Sequence, residues 1–311
     1  MARALVFPGQ GSQAVGMGRT LAEAFPVARE LFEEVDDALG RRLSAIMWGG
    51  PMEALTLTVN TQPALMAHSI AMLRVLEKEA GLDVENAMFV AGHSLGEYSA
   101  LCAARALTLA ETARLLAVRG QAMQDAVSAG EGAMAALIGV DLEGAQQAID
   151  AAEGEGVCEI ANDNAPGQVV ISGAKTRVEK VCEGARAFGA KMAKLLPVSA
   201  PFHSSLMAPA AARMEEALAG AAIKRPVTPL VANVTAREVG GPAEIRKLLV
   251  AQVTGRVRWT ESVSYMAEKG CDTFVEIGSG KVLAGLIKRI AREAKTASLG
   301  EPGDIDAFMK L

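Results

Sequence analysis

Short apolar runs alternate with longer amphipathic segments along most of the chain. Four runs have the character of buried strands and are bounded by Gly, Pro or Asn: Ala4–Phe7, Met88–Ala91, Pro229–Asn233 and Thr273–Ile277. Segments with helical spacing of apolar positions lie near residues 20–38, 63–80, 96–105, 110–127, 205–220, 243–253 and 280–293. This alternation is typical of an α/β protein with a parallel sheet.

The middle of the chain follows a different order. The pattern predicts strands at 134–140, 157–161, 168–172 and 191–196, helices at 142–152 and 176–188, and a turn over Asn162–Gly167. The order β-α-β-β-α-β is typical of a ferredoxin-like unit, which closes on itself. We therefore predict a large domain formed by residues 1–130 and 199–311, interrupted by a small inserted domain of residues 131–198.

Composition narrows the class of protein. The chain has 311 residues, 50% of them hydrophobic and 4% aromatic, with a formal net charge of −5. A nucleic-acid-binding protein would need a basic excess, which is missing here. No uninterrupted apolar stretch reaches the ~18 residues that indicate a membrane span. The four cysteines are scattered without a C-x-x-C pair, which favours a reducing compartment without disulfides or zinc. We expect a soluble cytoplasmic protein.

The strongest local signal for chemistry is Gly92–Gly96 (GHSLG), which follows an apolar run and precedes a helical pattern. It fits G-x-S-x-G, in which a sharp strand-to-helix turn lifts a serine above the sheet edge. The glycines avoid clashes at the bend, and the following helix N-terminus favours negative charge. The alternative is a Gly-Ser turn that only caps a helix. The strand–turn–helix context favours Ser94 as a nucleophile.

A serine nucleophile needs a base at neutral pH, and histidine is the usual one. The chain has three histidines. His68 lies on an apolar helical face and is predicted to be a core or capping residue. His93, next to Ser94, would point away from its hydroxyl. By elimination His203 is the base, although its Pro-bounded loop also fits a helix-capping role.

The third member of a triad is not evident from the sequence. An α/β-hydrolase would place an acid between the serine and the histidine at a strand end, but the small domain fills that interval. A backbone or amide carbonyl could orient the imidazole instead, because orientation requires only an acceptor.

Two glycine-rich segments fit phosphate-binding loops only in part. Gly9–Ala14 (GQGSQA) matches G-x-G-x-x-A, yet the acids about 20 residues later lie on an amphipathic helix and do not end a strand. Gly278–Lys281 (GSGK) lacks the earlier glycine of a P-loop, and Val282 stands where Ser or Thr would hold magnesium. We therefore interpret neither segment as a phosphate-binding loop.

Taken together, Phe7–Gln13 (FPGQGSQ) and Gly92–Glu97 (GHSLGE) resemble the malonyl-CoA:acyl carrier protein transacylase family of bacterial type II fatty acid synthesis. Val118–Gly120 (VRG), Asn162–Gln168 (NDNAPGQ) and Pro201–Ser204 (PFHS) agree and occur in the family's order. The resemblance covers essentially the whole chain. It implies an α/β-hydrolase-like large domain that carries a ferredoxin-like insertion, which agrees with the organisation predicted above.

The resemblance also implies an activity. Ser94 would be acylated by malonyl-CoA, and His203 would act as general base and acid. The malonyl group would then pass to the phosphopantetheine thiol of holo-acyl carrier protein, and this reaction would need no metal, nucleotide or redox cofactor. These two substrates are the expected partners, with no nucleic acid and no membrane, and we expect a monomer.

The resemblance assigns supporting roles to five further residues. Backbone N–H groups of Gln10 and Leu95 would form the oxyanion hole, and a carbonyl near Gln252 would orient the base. Arg119 would pair with the malonyl carboxylate, whereas the sequence alone would make it a solvated helix arginine. Gln10, Asn162 and Gln252 would also contribute to substrate binding.

Three rival functions remain at this point. A serine esterase shares the nucleophile and the base, but a buried cation at Arg119 makes sense only for a carboxylated acyl group. A carrier-protein docking module would not need both Ser94 and His203. An acyltransferase of a polyketide pathway, with a different acyl unit, fits the same motifs.

Overall fold

The computed structural model describes residues 2–198 and 200–310. Met1, Ser199 and Leu311, and with Ser199 the predicted boundary between residues 198 and 199, lie outside the described residues. The strands are β1 Arg3–Phe7, β2 Phe89–Gly92, β3 Gly132–Ile138, β4 Cys158–Ala165, β5 Gln168–Ala174, β6 Met192–Leu195, β7 Leu230–Ala232, β8 Arg237–Val239, β9 Val257–Arg258, β10 Thr273–Ile277 and β11 Lys295–Leu299. The helices are α1 Arg19–Ala24, α2 Pro26–Leu39, α3 Leu43–Gly49, α4 Met52–Thr56, α5 Thr58–Ala80, α6 Gly96–Ala103, α7 Leu109–Asp125, α8 Leu142–Ala151, α9 Lys175–Gly184, α10 Ala208–Ala219, α11 Pro242–Thr254, α12 Trp259–Glu268, α13 Val282–Ile290 and α14 Ile305–Met309.

The large sheet contains, among the described residues, six strands in the order β11-β10-β1-β2-β7-β8. All neighbouring pairs are parallel except β7 and β8, which are antiparallel. The four strands predicted from apolar runs form its centre, in the order β10-β1-β2-β7. The carboxyl ends of these parallel strands therefore meet at one edge, where open α/β sheets usually carry their ligands.

Both faces of the large sheet are covered, as parallel sheets require. Ala4 and Val6 of β1 pack in one cluster with α12 and α13. Leu5 and Phe7 alternate to the opposite face and join the larger cluster with α2, α5 and α7. The continuous apolar character of β1 follows from this two-sided burial.

The small sheet has, within the described part of the chain, five strands in the order β6-β3-β5-β4-β9. The first four pair antiparallel, while β9 adds to β4 in parallel. The expectation that residues 131–198 close on themselves is therefore wrong in one respect, because β9 comes from residues 257–258. The turn predicted over Asn162–Gly167 is also shorter than expected. Asn162 and Asp163 are strand residues because β5 and β9 hold them from both sides.

Two helix boundaries differ from the prediction for local reasons. The segment predicted as one helix near 20–38 is divided at Phe25, which is extended, and Pro26 begins the second helix. Proline disfavours the α-helical conformation in the residue before it. Pro26 therefore explains why the helix is interrupted at Phe25. Helix α5 begins at Thr58, five residues before Pro63, which lies inside it. No helix among the described residues is both long and apolar enough to cross a membrane.

The small sheet covers the carboxyl edge of the large sheet. Ala135 and Leu137 of β3 pack against α8 and α9 on one face. Met134 and Val170 lie on the opposite face and line a cavity that also contains residues following β1 and β2. The candidate site lies in this cavity, between the two sheets.

Candidate active site

Ser94 occupies a strained turn between β2 and α6. Its φ is +54°, in the left-handed region that non-glycine residues rarely adopt. A Cβ added to Gly92 would lie 1.9 Å from the carbonyl oxygen of Gly96, and one added to Gly96 would lie 2.3 Å from that of Phe7. Both glycines are therefore needed because neighbouring backbone approaches them closely.

Asn233 braces this turn from the next strand. It follows β7 directly, and its Oδ1 accepts a hydrogen bond from the Ser94 N–H at 2.7 Å. Its Nδ2 donates to the carbonyl oxygen of Gly92 at 2.7 Å. One amide group thus holds the backbone on both sides of His93 and fixes the orientation of the serine.

His203 contacts the hydroxyl of Ser94, with 2.8 Å between its Nε2 and the serine Oγ. On the other side of the ring, Nδ1 lies 2.9 Å from the Gln252 carbonyl oxygen and 3.1 Å from that of Gly255. Carbonyl oxygens only accept, so Nδ1 carries the proton and Nε2 presents a lone pair to Ser94. The ring is thereby held in the tautomer that a base needs.

The environment of His203 keeps the imidazole neutral. Burial lowers its pKa from the ordinary value to about 3, and the positive charge of Arg119 acts in the same direction. Hydrogen bonds to Gln252 and Gly255 oppose this only in part. The neutral form is therefore the resting state at physiological pH, as a proton acceptor requires.

Arg119 is buried beside the nucleophile, with 1% of its surface exposed. Its NH2 donates to Ser94 Oγ at 3.1 Å and to Gln252 Oε1 at 2.8 Å, and its NH1 donates to Gln62 Oε1 at 2.7 Å. Among the described residues no carboxylate forms an ion pair with it. Burial lowers the pKa of Arg119, yet a guanidinium stays protonated. The site therefore presents a desolvated cation whose hydrogen-bond acceptors are all neutral, although the Glu97 carboxylate attracts it without a direct contact.

Gln10 and Leu95 line the same cavity as Ser94. Within the described residues their backbone N–H groups have no recorded acceptor. Leu95 directly precedes α6, whose N-terminus favours negative charge. An oxyanion hole requires free backbone donors of this kind in the cavity that holds the nucleophile.

The cavity has a volume of about 440 Å³, within the usual range for small-molecule sites. Asn162 lines it from β4, and Met134 and Val170 contribute an apolar wall. All seven residues predicted for the site lie in this region: six line the cavity, and Gln252 contacts Ser94, Arg119 and His203 from behind.

The remaining histidines lie apart from proton transfer at Ser94. His68 is buried in α5, and its Nε2 contacts the Gly300 carbonyl oxygen at 2.8 Å. His93 lines the cavity, and its Nε2 lies 2.8 Å from Asn164 Oδ1. Burial lowers the pKa of both rings.

Neither Gln62 nor Asn233 was predicted to belong to the site. Asn233 was assigned to the end of a predicted strand, and the meeting of strand ends at one edge could have drawn attention to it. Gln62 lies in the unpredicted first turns of α5 and carried no comparable signal. In the described part of the chain no three His, Cys, Asp or Glu side chains are grouped as metal ligands would be.

Comparison with known proteins assigns the chain to a family. Residues 4–301 match the family described as acyl transferase domain. The malonyl CoA-acyl carrier protein transacylase of Bacillus subtilis is 46% identical over 304 residues, 97% of this chain and 95% of the relative. That of Escherichia coli K12 is 46% identical over 310 residues, 99% of each chain.

Solved structures give the same result. The acyl-carrier-protein-S-malonyltransferase from Bartonella henselae has a TM-score of 0.97 and 54% identity, covering 100% of this chain and 99% of its own. A malonyl-transacylase in complex with its type II PKS acyl-carrier protein has a TM-score of 0.96 and 41% identity, with coverage of 100% and 99%. The chain therefore belongs to the acyl transferase domain family, as a member of its malonyl CoA-acyl carrier protein transacylases.

Proposed function

We propose that the protein transfers the malonyl group of malonyl-CoA to the phosphopantetheine thiol of acyl carrier protein, through a malonyl ester on Ser94. This would supply malonyl-acyl carrier protein for fatty acid elongation. The observation that carries the proposal is the pair of contacts at Ser94 Oγ, His203 Nε2 at 2.8 Å and Arg119 NH2 at 3.1 Å. An esterase needs the first contact, but only a carboxylated acyl group needs the buried cation.

In the first half-reaction, Ser94 Oγ attacks the thioester carbonyl while its proton passes to His203 Nε2. The oxyanion accepts hydrogen bonds from the N–H groups of Gln10 and Leu95, each worth roughly 3–4 kcal/mol in comparable sites. His203 then returns the proton to the departing CoA sulfur. The products are malonyl-Ser94 and free CoA.

The second half-reaction reverses these roles. The thiol of the carrier protein's phosphopantetheine gives its proton to His203 Nε2 and attacks the ester carbonyl of malonyl-Ser94. The same two N–H groups receive the oxyanion. Collapse of the intermediate releases Ser94 Oγ, which recovers its proton from His203.

Arg119 would hold the malonyl carboxylate throughout both steps. Its guanidinium already has neutral amide partners in Gln62 and Gln252, so it is fixed in position before substrate arrives. A planar guanidinium can bind a carboxylate through two parallel hydrogen bonds. Ser94 Oγ would exchange its contact with Arg119 for the bond to the acyl carbon. Asn162 and Gln10 would contribute contacts along the cavity wall.

We also propose a division of the chain into two domains. The large sheet and its helices would form an α/β-hydrolase-like domain from residues 1–130 and 199–311. Residues 131–198 would form a ferredoxin-like insertion, which the antiparallel order β6-β3-β5-β4 supports. We expect a cytoplasmic monomer, which light scattering on the purified protein and cell fractionation would test.

Intact-protein mass spectrometry tests the function. Mixing with malonyl-CoA should add one malonyl group, and later addition of holo-acyl carrier protein should remove it faster than water does. Ser94→Ala should form no adduct. Ser99→Ala is the matched control, because Ser99 is buried on α6 and its hydroxyl has no hydrogen-bond partner. Discharge to water as fast as to carrier protein would instead indicate a hydrolase.

A further inference from the structure

Glu97 is a buried carboxyl group that the steps above do not use. It lies in the first turn of α6, three residues after the nucleophile, with 1% of its surface exposed. Burying a carboxylate is costly unless hydrogen bonds compensate. Its partners therefore indicate what the group does.

Both hydrogen bonds of Glu97 come from residues that brace the site. Its Oε2 accepts from Gln252 Nε2 at 2.7 Å and from the backbone N–H of Asn233 at 3.1 Å. Asn233 holds Gly92 and the Ser94 N–H, as described above. Gln252 Nε2 also donates to the Ser94 carbonyl oxygen at 3.0 Å. One carboxyl oxygen thus holds the side chain of Gln252 and the backbone of Asn233, and both residues hydrogen-bond to the turn around Ser94.

The carboxylate also fixes which end of the Gln252 amide faces Arg119. A carboxylate only accepts, so the NH2 end of Gln252 points toward Glu97 and the Oε1 end points toward the guanidinium. The reversed amide would set two N–H donors against Arg119 and an oxygen against the carboxylate. The position of the Arg119 NH2 group therefore depends on Glu97 through Gln252.

We propose that Glu97 is a positioning residue for malonyl transfer, which acts through Gln252 and Asn233 to fix Arg119 and the Ser94 backbone together. This inference rests on the proposed function. Glu97 itself contacts neither Ser94 Oγ nor the acyl group. Its effect should be greater on a carboxylated acyl group than on an uncharged one, because only the former uses Arg119.

The charge of Glu97 is open to experimental control. Burial raises its pKa to about 7, although hydrogen bonds from Gln252 and Asn233 and the charge of Arg119 act in the opposite direction. The other titratable groups of this region are Arg119, Tyr98, His203 and His93. Burial raises the pKa of Tyr98 and lowers those of His203 and His93, so all three shifts lead away from pH 7.

The test compares malonyl-CoA and acetyl-CoA as acyl donors in the first half-reaction. Glu97→Gln keeps the size of the side chain but replaces charge-assisted hydrogen bonds with neutral ones about half as strong. Both rates should fall, and the ratio of malonyl to acetyl rates should fall a further ~10-fold. Glu276→Gln is the matched control. Glu276 is equally buried, but it accepts from the N–H groups of Leu283 and Ala284 at the start of α13.

Equal losses for the two donors in Glu97→Gln would overturn the inference, since a purely structural role predicts that result. The wild-type protein gives a measurement that needs no variant. Its malonyl-to-acetyl ratio should decline as pH falls through about 7, and the ratio in Glu97→Gln should stay level. A level wild-type ratio would also overturn the inference. If wild-type Ser94 forms no malonyl adduct, the proposed function fails first.

Discussion

Arg119 brings a positive charge into the protein interior with neutral amide oxygens as its fixed acceptors. An unpaired buried cation is unfavourable, so the protein retains it at a cost in stability. The malonyl carboxylate would relieve that cost when it binds. Specificity for a carboxylated acyl group would then depend on Arg119 and on the residues that hold it in position.

Arg119→Ala should therefore lower the rate of Ser94 acylation by malonyl-CoA roughly 10- to 100-fold, the value of one or two charge-assisted hydrogen bonds. Acylation by acetyl-CoA should change little. The measurement is the rate of Ser94 acylation, determined side by side with malonyl-CoA and with acetyl-CoA. Arg114→Ala, an exposed arginine on the same helix, should leave both rates unchanged. A uniform loss in Arg119→Ala would make this residue a structural support.

His203 should make the stability of the fold depend on pH. Its pKa is about 3 in the folded protein and near 6.5 when unfolded, so only the unfolded chain gains a proton as pH falls from 7.5 to 5.5. The free energy of unfolding should therefore fall by about 1.4 kcal/mol between pH 7.5 and pH 5.5. Urea unfolding at both pH values should show this extra loss in the wild type relative to His203→Gln. Parallel changes in the two proteins would contradict it.

At this scale, motif context and elimination among three histidines led to Ser94 and His203, whose side chains the structure brings to 2.8 Å. The sequence could not reveal the burial of Arg119, which depends on how α7 packs against α5 and on the contact from Gln252 of α11. Gln62 was missed for the same reason. The roles of Gln10, Leu95, Asn162 and Gln252 came from the family resemblance and stay predictions.

At the scale of elements, the turn between β2 and α6 depends on glycine. The end of β1 presses on Gly96, where an added Cβ would lie 2.3 Å from the Phe7 carbonyl oxygen. Gly96→Ala should therefore destabilise the fold by about 1–3 kcal/mol or more, as overpacking does. Thermal or chemical unfolding measures this effect.

Gly285→Ala is the control for the unfolding experiment on Gly96→Ala, because a Cβ has room at this position. Gly285 is an exposed glycine inside α13, and a Cβ added there would meet nothing within 4 Å. The alanine variant should be more stable than wild type by about 0.5–1 kcal/mol. If both variants lose stability equally, close backbone approach is not the cause at Gly96.

The central strands were predictable because two-sided burial gives a parallel strand a continuous apolar sequence. The edge strands β8 and β11 were not, since Lys295–Leu299 (KTASL) is mostly polar and joins the sheet through backbone hydrogen bonds to β10. Strand β9 has only two residues and pairs with a strand almost 100 positions earlier. Local patterning carries no information about such a pairing.

At the scale of the whole molecule, Arg289 connects helix α13, which packs on the large sheet, to the small sheet. From α13 its side chain donates to Gln168 Oε1 at 2.7 Å and to the Pro166 carbonyl oxygen at 2.6 Å, across the turn between β4 and β5. Arg289→Ala should increase opening of this turn about 2- to 10-fold, the effect of roughly 0.5–1.5 kcal/mol. Hydrogen–deuterium exchange of peptides covering the turn measures it. The exposed neighbour variant Lys288→Ala should exchange like wild type.

One imidazole, in one cavity, would accept the proton of each incoming nucleophile and return it to each leaving group. The acyl group starts and ends as a thioester, so little free energy separates donor from acceptor. Net flux would then follow the ratio of acylated to free thiols on the two carriers and reverse when that ratio reverses. Mixing malonyl-acyl carrier protein with free CoA should regenerate malonyl-CoA. With His203 placed to serve both half-reactions, the protein would bring the two pools of acyl thioester to equilibrium.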